Sequence, residues 1–98
     1  MKVQASVEFE VWYQEQQLRL RAQIDARISR IEHYDHLGEW RYLGEGLSEL
    51  KWKSGLRIYF AKTGDKLILL LYGGMKNAQK KDISQARKLL RKYTNASY

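Results

Sequence analysis

The spacing of apolar residues changes twice along this chain, from helical to alternating and back to helical. A short strand is expected at Lys2–Ala5, after which Ser6 is placed to cap a helix in which Phe9, Trp12 and Tyr13 recur at i, i+3 and i+4. A longer helix follows, with Ile24, Ile28, Ile31 and Leu20 as its inward stripe and Arg19, Arg21, Arg27 and Arg30 lying off it. Gly38 closes this region. Three strand-like runs come next, Leu47–Lys53, Leu56–Lys62 and Lys66–Tyr72, separated by Lys53-Ser54-Gly55 and by Gly64-Asp65. From Asp82 to Tyr93 the helical period returns, with Ile83, Ala86, Leu90 and Tyr93 on one face and Arg87, Lys88, Arg91 and Lys92 largely on the other.

The order β-α-α-β-β-β-α predicts an α+β domain, a helical hairpin packed on a small antiparallel sheet. Strand register follows from charge segregation, because a slip of one residue exchanges the two faces of a strand. A two-residue Ser54-Gly55 loop would set Lys51 opposite Ile58 and mix charge into the apolar face. A three-residue loop, Lys53-Ser54-Gly55, pairs Lys51 with Arg57 and Glu49 with Tyr59, and leaves Leu50, Trp52, Leu56, Ile58 and Phe60 together on the core face. A type II′ turn at Gly64-Asp65 pairs Arg57 with Tyr72, Tyr59 with Leu70 and Ile58 with Leu71. One sheet face is then core, and the other collects Glu49, Lys51, Arg57, Tyr59 and Tyr72 as an open polar surface.

Composition narrows the class. Ninety-eight residues, 44% of them hydrophobic and 12% aromatic, make one domain spanning residues 1–98 with enough apolar mass for a core. The absence of cysteine removes disulfides, thiolate catalysis and cysteine zinc sites, and fits a cytoplasmic protein. No apolar run is long enough to span a bilayer, and the start of the chain lacks the apolar stretch of a signal peptide, so no membrane association is expected. Eighteen Lys and Arg against eleven Asp and Glu give a net charge of +7, which favours RNA, DNA, a ribosome or an acidic protein segment as partner.

A face of Lys, Arg and Tyr without paired carboxylates or a nucleophile triad suits phosphate chemistry better than acyl or glycosyl transfer. If the 2′-hydroxyl of an RNA attacks its own phosphodiester, the protein need only align the phosphate, offset developing charge and help a proton leave, without a metal. Arg57, whose planar fork can give two hydrogen bonds at once, is the choice for the scissile phosphate, with Lys51 beside it. The competing reading is a solvated cross-strand face on which Glu49 neutralises one cation. His33 and His36 lie three apart, but no acidic or cysteine neighbourhood completes a metal site, so neither metal nor other cofactor is expected. Trp12 and Trp52 fall on inward faces and read as core. Trp40 is unassigned.

The stretch Gly44-Glu45-Gly46-Leu47-Ser48-Glu49-Leu50-Lys51, then Gly55-Leu56-Arg57-Ile58-Tyr59-Phe60, then Leu69-Leu70-Leu71-Tyr72-Gly73-Gly74-Met75-Lys76-Asn77-Ala78-Gln79-Lys80-Lys81-Asp82-Ile83, resembles the RelE/ParE toxin superfamily, particularly its HigB-like addiction module killer group. The resemblance implies a toxin of a toxin–antitoxin pair with a cognate antitoxin as partner, and a ribosome-dependent mRNA endoribonuclease (an mRNA interferase that inhibits translation) as its activity. It also allows an inhibitor of DNA gyrase on the same fold. A basic nucleic-acid-binding module without toxicity is the third reading. By resemblance Lys51, Arg57 and Lys76 occupy catalytic positions. Lys53, Gln79 and Lys80 lie near the expected cleft, and Tyr59 and Tyr72 stand in by proximity for a last-helix tyrosine that has no match here. Leu56 replaces the family's tyrosine before the arginine, and Met75 its aspartate.

Overall fold

The computed structural model describes residues 1–95. Chain order is β1 (Lys2–Ala5), α1 (Val7–Gln14), α2 (Leu18–Tyr34), β2 (Trp40–Gly44), β3 (Leu47–Lys51), β4 (Leu56–Thr63), β5 (Leu67–Met75), a 3₁₀ turn (Lys76–Ala78) and α3 (Gln79–Asn95). The strands form one five-stranded sheet in the order β1-β5-β4-β3-β2, antiparallel except where β1 runs parallel to β5. This is the expected α+β architecture with one strand more. β2 escaped the sequence reading because Trp40, Arg41 and Tyr42 are all exposed on an edge strand and show no alternation.

Local chemistry explains the helix ends. Ser6 holds an extended backbone and its Oγ accepts from Phe9 N at 3.0 Å, which starts α1. Asp35 adopts a left-handed conformation and ends α2 at Tyr34, ahead of Gly38.

The sheet is covered on both sides. Leu50, Leu56, Ile58, Phe60, Ile68 and Leu70 bury one face against Phe9 of α1 and Ile24 and Ile31 of α2. Leu47, Tyr59, Ala61 and Leu71 bury the other against Ala86 and Leu89 of α3. At about 1.5–3 kcal/mol for each large apolar side chain removed from water, these layers supply most of the driving force for folding. The expectation of an open polar face is therefore corrected. α3 lies across it, so Glu49 and Tyr59 have no exposed surface and Arg57 keeps only 8%.

The β3–β4 register is the expected one, with Glu49 opposite Tyr59 and Lys51 opposite Arg57, and Gly55 at φ +103° closing the Lys53-Ser54-Gly55 loop. The β4–β5 register is not. Thr63 pairs with Leu67 around a three-residue loop, and a bulge beside Leu71 places Tyr72 opposite Tyr59, Gly73 opposite Ile58 and Gly74 opposite Arg57. The bulge sends Leu70 to the core under the helical hairpin while Leu71 and Tyr72 both join the α3 side. Beyond it the two glycines admit close neighbours. A Cβ on Gly73 would meet the Trp12 ring at 2.5 Å, and one on Gly74 the Asp82 carboxylate at 1.9 Å. Trp12 and Trp52 pack partly buried at the edge of the core, as expected. Among the described residues no helix is long and apolar enough to cross a membrane.

Candidate functional site

Of the basic residues singled out in the sequence, Lys51, Lys53 and Lys76 line two clefts at the tip of the β3–β4 hairpin, which stands between them. On one side, Lys53, Ser54 and Gly55 of the tip face Met75, Lys76 and Asn77 at the end of β5, enclosing about 610 Å³. Gly55 is needed here for its positive φ, which closes the loop, while a Cβ in its place would only touch Lys76 Cβ at 3.4 Å. On the other side, Arg27 and Arg30 of α2, His36, Glu39, Lys51, Trp52 and Lys53 enclose about 270 Å³. Lys53 lines both.

Arg27, expected off the inward stripe of α2, is buried. Its Nε donates to Leu37 O at 2.9 Å and its Nη1 to Lys51 O at 2.6 Å, while Nη2 donates to Glu39 O. Its guanidinium also lies over the Trp52 ring at 4.3 Å. Burial pulls its pKa below the ordinary arginine value, and Glu39 opposes that shift. One side chain thus fixes the 37–39 loop against the end of β3, and with it the wall of the smaller cleft. Arginine at a helical position reads as surface from sequence, and only the carbonyls it finds in space reveal otherwise.

Arg57 lies beneath the tip. Its Nη1 donates to Trp52 O at 3.1 Å and to Leu56 O at 2.9 Å, and its Nε lies 3.9 Å from Glu49 Oε1. The fully buried Glu49 is further held by Arg41 Nη2 at 2.7 Å and by Gln79 Nε2 at 2.9 Å. Two hydrogen-bond donors, Arg41 from β2 and Gln79 from α3, and the nearby Arg57 cation of β4 therefore compensate one buried carboxylate, while Arg57 Nε itself makes no hydrogen bond.

The remaining sequence assignments separate. Lys51 is half-buried and its Nζ is 3.7 Å from Glu39 Oε1. Lys76 is exposed in the larger cleft and Lys80 is exposed in the first turn of α3. Tyr59 cannot contact RNA in this arrangement, because α3 covers it. Its hydroxyl has no hydrogen-bond partner, and burial, then the charges of Glu49 and Asp82, push its pKa above the usual tyrosine range. Tyr72 sits on the α1 side of that face, in a small cleft with Val7, Val11 and Trp12, apart from the lysines. Gln79 turns inward to Glu49. Tyr93, the tyrosine of α3, donates to Glu8 at 2.6 Å rather than entering either cleft.

What the hairpin tip can do is hold phosphate. Lysines from two elements converge on an open cleft, an arginine sits below it, and no carboxylate lines the Lys53–Lys76 side. Among the described residues, no group of three or more His, Cys, Asp or Glu could hold a metal ion.

No family model matches the chain. An uncharacterised protein of Haemophilus influenzae is 33% identical over 92 residues, covering 91% of this chain and 92% of that protein. Among solved structures, E. coli toxin RelE in the free state, a double arginine-to-alanine mutant, matches with a TM-score of 0.70 at 13% identity, covering 89% of this chain and 94% of that one. The RelB–RelE antitoxin–toxin complex from Methanococcus jannaschii gives 0.67 at 11%, covering 80% and 95%. The intact E. coli RelBE toxin–antitoxin complex gives 0.63 at 12%, covering 76% and 94%.

Proposed function

Since this chain belongs to one family with the Haemophilus influenzae protein and has the RelE fold, we propose that it is the toxin of a toxin–antitoxin pair and that it cuts messenger RNA on the ribosome. The observation that carries the reading is the cleft beside the hairpin tip that Lys53 and Lys76 both line, with no carboxylate among its lining residues. The RelE chains of E. coli and M. jannaschii were each solved with a RelB antitoxin, and a cognate antitoxin is the corresponding partner here.

In the reaction, a nucleotide's 2′-hydroxyl gives its proton to water and its oxygen forms a bond to the adjacent phosphorus, while the bond from phosphorus to the 5′-oxygen breaks and that oxygen takes a proton from water. The products are a 2′,3′-cyclic phosphate and a 5′-hydroxyl. Lys53 and Lys76 hold the non-bridging oxygens and offset the charge that grows on them. Arg57 adds a fixed positive charge from beneath and, through Trp52 O and Leu56 O, keeps the tip in place. Lys51 completes the basic surface on the other side of the tip, and Lys80 extends it along α3.

The test is purified protein in a translation extract. Messages under translation should be truncated, and Lys53→Ala and Lys76→Ala should each slow cutting by roughly 100-fold, as loss of a transition-state charge contact does. Both side chains are exposed, so melting should not change. Intact messages together with blocked supercoiling by gyrase would replace this reading with gyrase inhibition. The engagement of Tyr93 by Glu8, away from both clefts, is the observation that favours that second reading.

A further inference from the structure

The smaller cleft is chemically distinct from the one that carries the proposed reaction. Arg27, Arg30, Lys51 and Lys53 bring four cations to it against one carboxylate, Glu39, and His36 lies among them. Arg27 has its three nitrogens on backbone carbonyls, so it builds the wall and leaves Arg30, Lys51, Lys53 and His36 to meet a ligand. Glu39 reaches Lys51 only at 3.7 Å and is itself exposed, so an incoming anion can displace it at small cost. The 37–39 loop and the end of β3 are pinned by Arg27, which means the cleft is formed before anything binds.

We propose that this cleft is a second phosphate subsite, which holds the backbone of the same RNA strand on the far side of the hairpin tip, with Arg30, Lys51, Lys53 and His36 as its contacts. The inference rests on the nuclease reading for the identity of the strand. Two features favour a nucleic-acid backbone over an isolated anion. Lys53 lines both clefts, so a polyanion crossing the tip meets cations continuously. Trp52, whose ring is already covered on one side by Arg27, adds an aromatic edge of the kind single strands use. The groups facing His36 are Arg27 and Arg30 from α2, Glu39 from the following loop, and Lys51 and Lys53 from β3 and the tip.

The experiment measures binding of a short 2′-O-methyl oligoribonucleotide, which cannot be cut, to the full chain and to Arg30→Ala and His36→Gln. Both positions are exposed, and neither has been placed in the reaction cleft. Arg30→Ala should weaken binding roughly fivefold and reduce the salt slope by about 0.7, the value of one single-strand phosphate contact. His36→Gln, which removes the imidazole from the lining, should also weaken binding, by about twofold. Polyglutamate is the control for an acidic protein segment. Variants that bind like wild type, or polyglutamate binding with the same response to both substitutions, would each overturn the subsite. The two readings fail separately. A protein that binds as described but never truncates messages loses the nuclease reading and keeps the subsite. One that truncates messages while ignoring both substitutions loses the subsite alone.

Discussion

Arg57→Ala is the substitution on which sequence and structure disagree most. Read as an exposed strand residue, Arg57 should be removable within about 1 kcal/mol. In the folded chain its side chain is 10% exposed, gives two hydrogen bonds to carbonyls, and stands 3.9 Å from a carboxylate with no exposed surface. Charged hydrogen bonds contribute about 1.5–3 kcal/mol each, but the full sum overstates the loss. Trp52 O keeps the donor Gly55 N, Leu56 O keeps Trp52 N, and Glu49 keeps Arg41 and Gln79, so no partner is stranded. The expected destabilisation is therefore about 2–4 kcal/mol, including the void left under the tip. For a domain of this size that lowers Tm by roughly 10–25 °C. Urea unfolding of the wild type, Arg57→Ala and Arg57→Met separates the charge from the stem, since Met keeps most of the packing and should recover part of the loss. A midpoint for Arg57→Ala within about 1 kcal/mol of wild type would refute the buried ion-pair network and restore the exposed-face reading. Activity must be compared at a temperature where both proteins are folded, or loss of structure would pass for loss of chemistry.

Three further outcomes are expected. Arg27→Met should cost about 3 kcal/mol in urea unfolding, because it removes a cation bonded to three carbonyls and stacked on Trp52, and it should also weaken oligonucleotide binding at the smaller cleft; an unchanged midpoint would mean the 37–39 loop is held by something else. Gly74→Ala should destabilise the docking of α3, seen as lost hydrogen-exchange protection there before global unfolding, since its Cβ would overlap Asp82; full protection would show that α3 can shift to accommodate it. Glu8, whose pKa is held down at about 2 by Lys92 and then Tyr93, stabilises the α1–α3 contact fully above its ordinary value near 4.5 and loses that contribution as pH falls towards 2. The pair is partly exposed, so Glu8→Gln should lower stability at neutral pH by on the order of 1 kcal/mol and leave acid stability nearly unchanged, which unfolding curves at both pH values would check.

The sequence by itself determined the three helices, every strand but β2, and the register of one hairpin. Ser6 ahead of Phe9, Trp12 and Tyr13, the isoleucine stripe of α2, and the apolar period of α3 are local patterns with a single good burial solution, and the three-residue loop at Gly55 followed from keeping Lys51 and Glu49 out of the core. Lys76 as a catalytic position and Lys53 near the cleft were expectations from resemblance, but that both line one cleft was not legible, because it depends on how β5 leaves the sheet. Three things were decided only by the fold. The bulge beside Leu71 put two successive residues on one face, which no strict alternation predicts. The placement of α3 across the polar side of the sheet turned an expected surface into a second core, buried Tyr59 completely and turned Gln79 towards Glu49. Arg27 became the buried wall of a cleft because carbonyls from residues 37, 39 and 51 gather around it, and those groups come together only through tertiary contact. Periodicity reports which side of its own element a residue occupies. What covers that side is a property of the other elements, and the functional surface of this chain is the part they leave open.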